Sequence, residues 1–271
     1  MQGFWATEFL TPLERPDKFP DLIIKPDQRE AAIKEFTPDF GKVYDPELDY
    51  TFPTGLLVMG GEARSSVLIE PADGKLPLTA LARAAADHFE RDYDGPENRP
   101  GAERCVDSLS HAPLRSVSFV IPFQLVQTPD AIVLSMDDTD PVRIVPMGGS
   151  PLPDAIRTMG GSSRGRWEGD TLVIETDHIS ISHHSGIAWR DAALVTEDSV
   201  VIERLTLTSA DEMLYQFTVR DPALYKQPWL AEHTIQRSAH PPLEYACHEG
   251  NHGLLNILTA ARMGLQEDDK K

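Results

Sequence analysis

From Ser116 onward the sequence is a run of short segments with alternating apolar and polar residues, separated by compact turns. That pattern limits the fold more than any other feature. Phe123–Thr128 and Ala131–Met136 flank Pro129-Asp130, a hairpin signal, and Val142–Met147 follows the turn Asp137–Pro141. Arg166-Trp167 and Thr171–Thr176 are joined by Glu168-Gly-Asp170, and Gly160–Gly165 before them is read as a glycine-rich loop. After a long loop, Asp177 to Asp198, come Val200–Thr208, Met213–Arg220 and Trp229–Arg237. Sequential strands with tight turns predict an antiparallel meander, and a meander this long removes its exposed edges by closing. The expectation is a mainly β fold, an antiparallel meander closing into a lipocalin-like barrel.

The first part of the chain reads differently. Residues 1–25 are proline-rich and predict an extended, wrapping segment. A short helix is expected from Asp27 to Phe36, an irregular stretch from Thr37 to Gly61, and a strand at Ser66–Glu70. Thr79 is placed to cap a second helix with Leu81, Ala82, Ala85 and Phe89 on one face. Residues 1–110 are thus assigned as a wrapping segment of the same domain. Residues 111–264 are assigned to the barrel with its C-terminal helix, and 265–271 to a disordered tail.

Just before the last helix, Leu243–Gly253 packs Cys247, His248, His252, Glu244, Glu249, Tyr245 and Asn251 into one stretch. With a period of two, Leu243, Tyr245, Cys247 and Glu249 share one strand face and Glu244, Ala246 and His248 the other. The competing reading is that His248, Glu249 and Asn251 only cap the helix that carries Leu254, Ile257, Leu258 and Ala261.

Charge and motif content exclude several function classes. The formal net charge of -18 repels nucleic acid and anionic membrane surfaces. No apolar stretch approaches bilayer-spanning length, and no basic, apolar leader is visible, which predicts the cytoplasm. Gly161-Ser-Ser-Arg-Gly165 has the Gly-x-Ser-x-Gly spacing but lies between β segments and is read as a loop, not a nucleophile elbow; with no phosphate-cradling loop and no dinucleotide fingerprint, a cofactor-free protein is expected. Cys105 and Cys247, the only cysteines, cannot make a metal site alone, but they are expected to approach each other.

Alternation along the late strands singles out candidate residues. Glu203 shares a face with Val201, Leu205 and Leu207, and His233 shares one with Trp229, Ala231 and Ile235. Tyr215 lies with Phe217 and Val219 on a face that ends at Asp221. A carboxylate on such an apolar face is desolvated, which raises its pKa and suits it to proton transfer. Glu203, His233, His248 and Glu249 are therefore the catalytic candidates, with Glu203, His233 and Glu249 expected to face one shared cavity. His183, His184, Trp189, Tyr215, Trp229 and Tyr245 are the substrate-binding candidates, the first three on a lid-like loop. The rival structural reading is a buried ion pair of Glu203 with Arg204, Arg220 or Arg237.

Several motifs recur together in one order: Thr11-Pro-Leu-Glu-Arg-Pro16, Gly101-Ala-Glu-Arg-Cys105, Arg164-Gly-Arg-Trp-Glu-Gly-Asp-Thr-Leu-Val173 and Glu244-Tyr-Ala-Cys-His-Glu-Gly-Asn251. On these residues the chain resembles a large family of soil-bacterial proteins labelled hypothetical. The resemblance implies one homologous β-rich unit and no activity. Many of its relatives look exported, and the chain departs from them at His183-His184 and Trp189-Arg190.

The function expected from the residues is a cofactor-free acid/base enzyme of the lyase, dehydratase or isomerase type. Its partner would be a small apolar, aromatic molecule in the barrel, with no metal, no nucleic acid and no membrane, and with a homodimer allowed. A non-catalytic carrier of an apolar ligand and a metal-dependent hydrolase using the loop histidines are the alternatives.

Overall fold

A computed structural model describes residues 1–37, 55–89, 95–96, 104–105, 112–114, 121–136, 142–180, 195–242 and 247–263. In chain order the elements begin with β1 (Gly3–Thr7), β2 (Ile23–Ile24), α1 (Arg29–Phe36), β3 (Val58–Met59), β4 (Glu62–Arg64), β5 (Leu68–Glu70) and α2 (Ala80–Phe89). They continue with β6 (Ile121–Gln127), β7 (Ala131–Met136), β8 (Arg143–Pro146), β9 (Ser162–Glu168) and β10 (Thr171–Asp177). The last are β11 (Val200–Leu207), β12 (Glu212–Arg220), β13 (Trp229–Arg237) and α3 (Gly253–Arg262).

The main sheet runs β8-β7-β6-β1-β13-β12-β11-β10-β9, with β5 also paired to β13. All of these ladders are antiparallel, so the expected meander and its barrel shape are present. The barrel is nearly closed. Its last seam, between β8 and β9, carries only a parallel bridge from Met147 to Gly165 and a Gly148 N–H bond to the Gly165 carbonyl at 2.8 Å. Gly165 is inside β9, not in a loop, because a side chain there would meet Met147 Sδ at 2.8 Å across the seam.

Burial alternates residue by residue along β11, β12 and β13, as a barrel wall requires. The inward set, including Leu125, Leu134, Leu172, Leu205, Met213, Phe217 and Trp229, merges into one apolar core. A second small cluster, Phe19, Ile24, Ala32 and Ala63, lies under α1 and the β2-β4-β3 sheet.

The wrapping segment is more regular than its prolines suggest. Its Gly-Phe-Trp-Ala-Thr stretch becomes β1, which inserts between β13 and β6 and joins the two ends of the meander. Aromatic and β-branched side chains suit such a half-buried pleat. The Thr11–Pro16 motif then straps the base: Val67 and Leu68 donate to the Pro12 and Leu13 carbonyls, and Arg15 Nη1 donates to Ala72 O at 2.9 Å. Thr79 caps α2 through the Ala82 amide at 3.1 Å, but Leu81 is 72% exposed rather than core-facing, while Ala82 is buried.

The strand expected over Leu243–Glu249 is corrected where it is described. Cys247–Gly250 is a 3-10 turn leading into α3, and 243–246 lie outside the described residues, as does the tail 265–271. The Asn251 Oδ1 accepts from the Leu254 amide at 3.3 Å, so this stretch ends as a helix cap. No described helix is long and apolar enough to cross a membrane.

Candidate functional site

The late strands place Glu203, Tyr215 and His233 on the inner wall, as alternation predicts. Glu203 is fully buried. Its carboxylate accepts from both terminal nitrogens of Arg143, with Nη1 at 3.2 Å from Oε1 and Nη2 on Oε2. It also accepts from Tyr215 Oη at 2.7 Å and the Leu114 amide at 3.2 Å. Arg143 Nε donates to Ser163 Oγ at 3.0 Å and Nη2 to Thr176 Oγ1 at 2.8 Å. Arg143 stands on β8, whereas Ser163, Thr176 and Glu203 stand on β9, β10 and β11. The guanidinium therefore reaches over the one seam that lacks a regular ladder and bolts the barrel shut.

This partner is not among the arginines proposed from sequence. Arg204 faces outward to Glu168 at 2.9 Å, Arg220 is exposed, and Arg237 lies over the Trp5 ring at 4.3 Å. Arg143 shares its strand phase with Val145. The alternation test applied to β8 would have found it.

His233 sits opposite Tyr215 in the β12–β13 ladder. It is 1% exposed, and its ring lies 5.0 Å from Tyr215 and 5.1 Å from Phe9, edge-on to both. Nδ1 is 3.1 Å from the Thr234 carbonyl, which assigns the proton to Nδ1 and leaves Nε2 as an acceptor. Nε2 has no hydrogen-bond partner among the described residues. Burial pushes the imidazole pKa down to about 4, against a small upward pull from Thr234, so the ring is neutral at pH 7. Burial, with the Glu203 charge, also drives the Tyr215 hydroxyl well above its ordinary value, which keeps its proton on the phenol. The wall continues through Phe217, stacked 5.4 Å from Tyr215, to Trp229 and Tyr225. Trp229 Nε1 is likewise buried without a partner among the described residues.

Glu249 and His248 do not join this group. Both are exposed on the 3-10 turn, because the chain leaves strand geometry there, so the shared cavity of Glu203, His233 and Glu249 does not form. Glu203 and His233 belong to the same wall without touching. His183, His184, Trp189 and Tyr245 lie outside the described residues. The two ends of the loop that carries the first three are pinned. Arg164 grips Asp177 at 3.1 and 2.7 Å, and Asp221 accepts from Thr196 Oγ1 and Ser199 Oγ, each at 2.6 Å. Burial pushes the Asp221 carboxyl up, but bonds from Ser199, Thr196, Leu224 and Ala223 outweigh it and hold it below the usual range.

The expectation that the two cysteines meet is supported by a disulfide at Cys105, since Cys247 is the chain's other cysteine. Asn251 Nδ2 donates to Cys105 Sγ at 3.3 Å, tying the helix cap to the cross-link. Of the motif residues, Arg15, Cys105, Asn251 and Arg164 are engaged in holding the fold, whereas Trp167 is exposed.

Comparison with protein-family models, with curated proteins and with solved structures returned no match to this chain.

Proposed function

We propose that the barrel binds a small, largely apolar aromatic molecule on the wall formed by Tyr215, Phe217, Trp229 and His233. The observation that carries this reading is the His233 Nε2 lone pair, an inward-facing acceptor without a partner among the described residues. A buried acceptor left without a donor is costly, and a ligand hydroxyl or amine supplies one. The surrounding rings favour an aromatic body packed edge-on or offset. Because His233 is 1% exposed and packs against Phe9 and Tyr215, the ligand reaches it when a covering segment such as that of Phe9 yields.

Chemistry on such a ligand, of the lyase, dehydratase or isomerase type, would use His233 as the base. Glu203 is ill suited to that role. Its oxygens are committed to Arg143, Tyr215 and Leu114, an arrangement that holds a wall together rather than moving a proton. That commitment favours the second reading, a carrier with no turnover. Proton transfer is most efficient when the pKa lies near the working pH, whereas His233 and Tyr215 are both shifted away from neutrality. The disulfide at Cys105 favours an oxidising compartment over the cytoplasm, where thiols are kept reduced.

The test is calorimetric titration with naphthalene, 2-naphthol and 2-methoxynaphthalene. 2-Naphthol is expected to bind about tenfold more tightly than its methyl ether, the effect of one hydrogen bond. In His233→Phe that difference disappears. Equal affinities in the wild type, or a difference that survives in His233→Phe, reject the site. Turnover of any bound aromatic, lost by two to four orders of magnitude in His233→Gln, separates enzyme from carrier.

A further inference from the structure

Ala112, Pro113 and Leu114 are buried against the inner wall although they belong to no strand. The Leu114 N–H donates to Tyr215 Oη at 2.9 Å and to Glu203 Oε1 at 3.2 Å. A backbone donor from outside the sheet thus fills an acceptor pair built into β11 and β12; Tyr215 of that pair packs edge-on against His233, whose Nε2 has no partner among the described residues. The two bonds come from one amide, and the neighbouring side chains are small or medium apolar groups. Segments outside the ladders open locally at lower cost than the sheet.

What restrains this segment lies just upstream. Cys105, seven residues before Ala112 along the connecting chain, is disulfide-bonded and accepts from Asn251 at the cap of α3. Its backbone is left-handed, φ 54°, a conformation a non-glycine residue keeps only when its surroundings impose it. A cross-link this close to the plug raises the plug's effective concentration at the wall, as a short tether does.

We infer that Ala112–Leu114 is an exchangeable plug latched by the disulfide at Cys105, and that its release opens the wall to a ligand whose hydroxyl or amine docks at His233 Nε2. The docking half rests on the reading in the previous subsection. A dithiol reductant opens the latch. Two electrons and two protons convert the S–S bond to two S–H groups while the reductant closes to its own disulfide. The plug then exchanges with a small apolar molecule whose body fills the volume of Ala112 and Leu114.

The experiment is amide exchange at Leu114 in the full chain, oxidised and after dithiothreitol, alongside 2-naphthol titration of both states. Reduction is expected to speed Leu114 exchange at least a hundredfold while ladder amides of Phe217 and Ala231 stay protected, and to tighten 2-naphthol binding at least tenfold. Unchanged Leu114 exchange, or exchange that rises together with the ladder amides, overturns the latch. Redox-dependent Leu114 exchange with equal 2-naphthol binding in both states overturns the docking half. If 2-naphthol binds in neither state, the aromatic-ligand reading falls with the docking half, and the exchange data still decide the latch. The double variant Cys105→Ser/Cys247→Ser repeats the measurement without reductant. Should it fail to fold, the arm that reduces the folded, oxidised protein decides alone.

Discussion

Arg143→Met removes the guanidinium that spans the β8–β9 seam. Glu203 would then keep Tyr215 and Leu114 as donors but lose both bonds to a positive charge while remaining fully buried. Breaking a buried pair from one side costs about 3–5 kcal/mol, because a charge is left uncompensated. Ser163 and Thr176 lose a shared donor but still bond each other at 2.8 Å, so they add little. Against a total stability of about 5–15 kcal/mol this is a large share, and at roughly 2–4 °C per kcal/mol the melting point should fall by about 10 °C. Urea unfolding followed by tryptophan fluorescence and circular dichroism measures the loss. The double variant Arg143→Met/Glu203→Leu should recover most of it, since removing both charges also removes the penalty, and Leu114 can still donate to Tyr215. The seam supplies a local readout: the Gly148 amide, bonded to Gly165, should exchange faster in Arg143→Met while β12 stays protected. A single variant within about 1 kcal/mol of wild type, or one destabilised with no change at Gly148, would refute the clasp.

Two further outcomes follow from the same geometry. An unfolded histidine titrates near 6.5 and His233 in the fold near 4, so the unfolded chain takes up the proton first as pH falls. Stability should be level above about pH 7, decline between 6.5 and 4, and lose about 3 kcal/mol in all, a slope that His233→Gln removes in denaturation curves measured at each pH. Asp221 acts in a lower window, below the ordinary aspartate value of 3.8, where protonation releases Thr196 and Ser199. Gly161 has φ +73°, and a Cβ there would lie 2.7 Å from the Asp177 carbonyl, so Gly161→Ala should cost about 1–3 kcal/mol in thermal unfolding.

The inner wall was legible in the sequence because alternation fixes which side of a strand each residue faces. Val201, Glu203 and Leu205, or Trp229, Ala231 and His233, declare their shared face without knowledge of their neighbours. What alternation does not carry is which strands meet. The pairing of Glu203 with Arg143 depends on β8 and β9 approaching at the seam, and no local signal links Arg143 to residues sixty positions away. β1 was missed for a related reason: a five-residue segment among prolines becomes a strand only because β13 and β6 leave a slot for it. The alternation of Leu243–Glu249 fits a strand, whereas Cys247–Gly250 is a turn next to Asn251, which bonds Cys105 and caps the helix. The contact with Cys105 comes from a distant part of the sequence and has no local signal.

His233 is central: its Nε2 acceptor has no partner among the described residues and is proposed to take the ligand's donor. Histidine-selective nitrogen-15 NMR observes that atom directly. At pH 7 the His233 ring should appear as the Nδ1–H form with an unprotonated Nε2 that carries no hydrogen bond, a pattern that persists down to about pH 4. Adding 2-naphthol should move the Nε2 resonance toward its hydrogen-bonded position, and 2-methoxynaphthalene should leave it in place. An Nε2 that carries the proton, or one that ignores saturating 2-naphthol, would contradict the site.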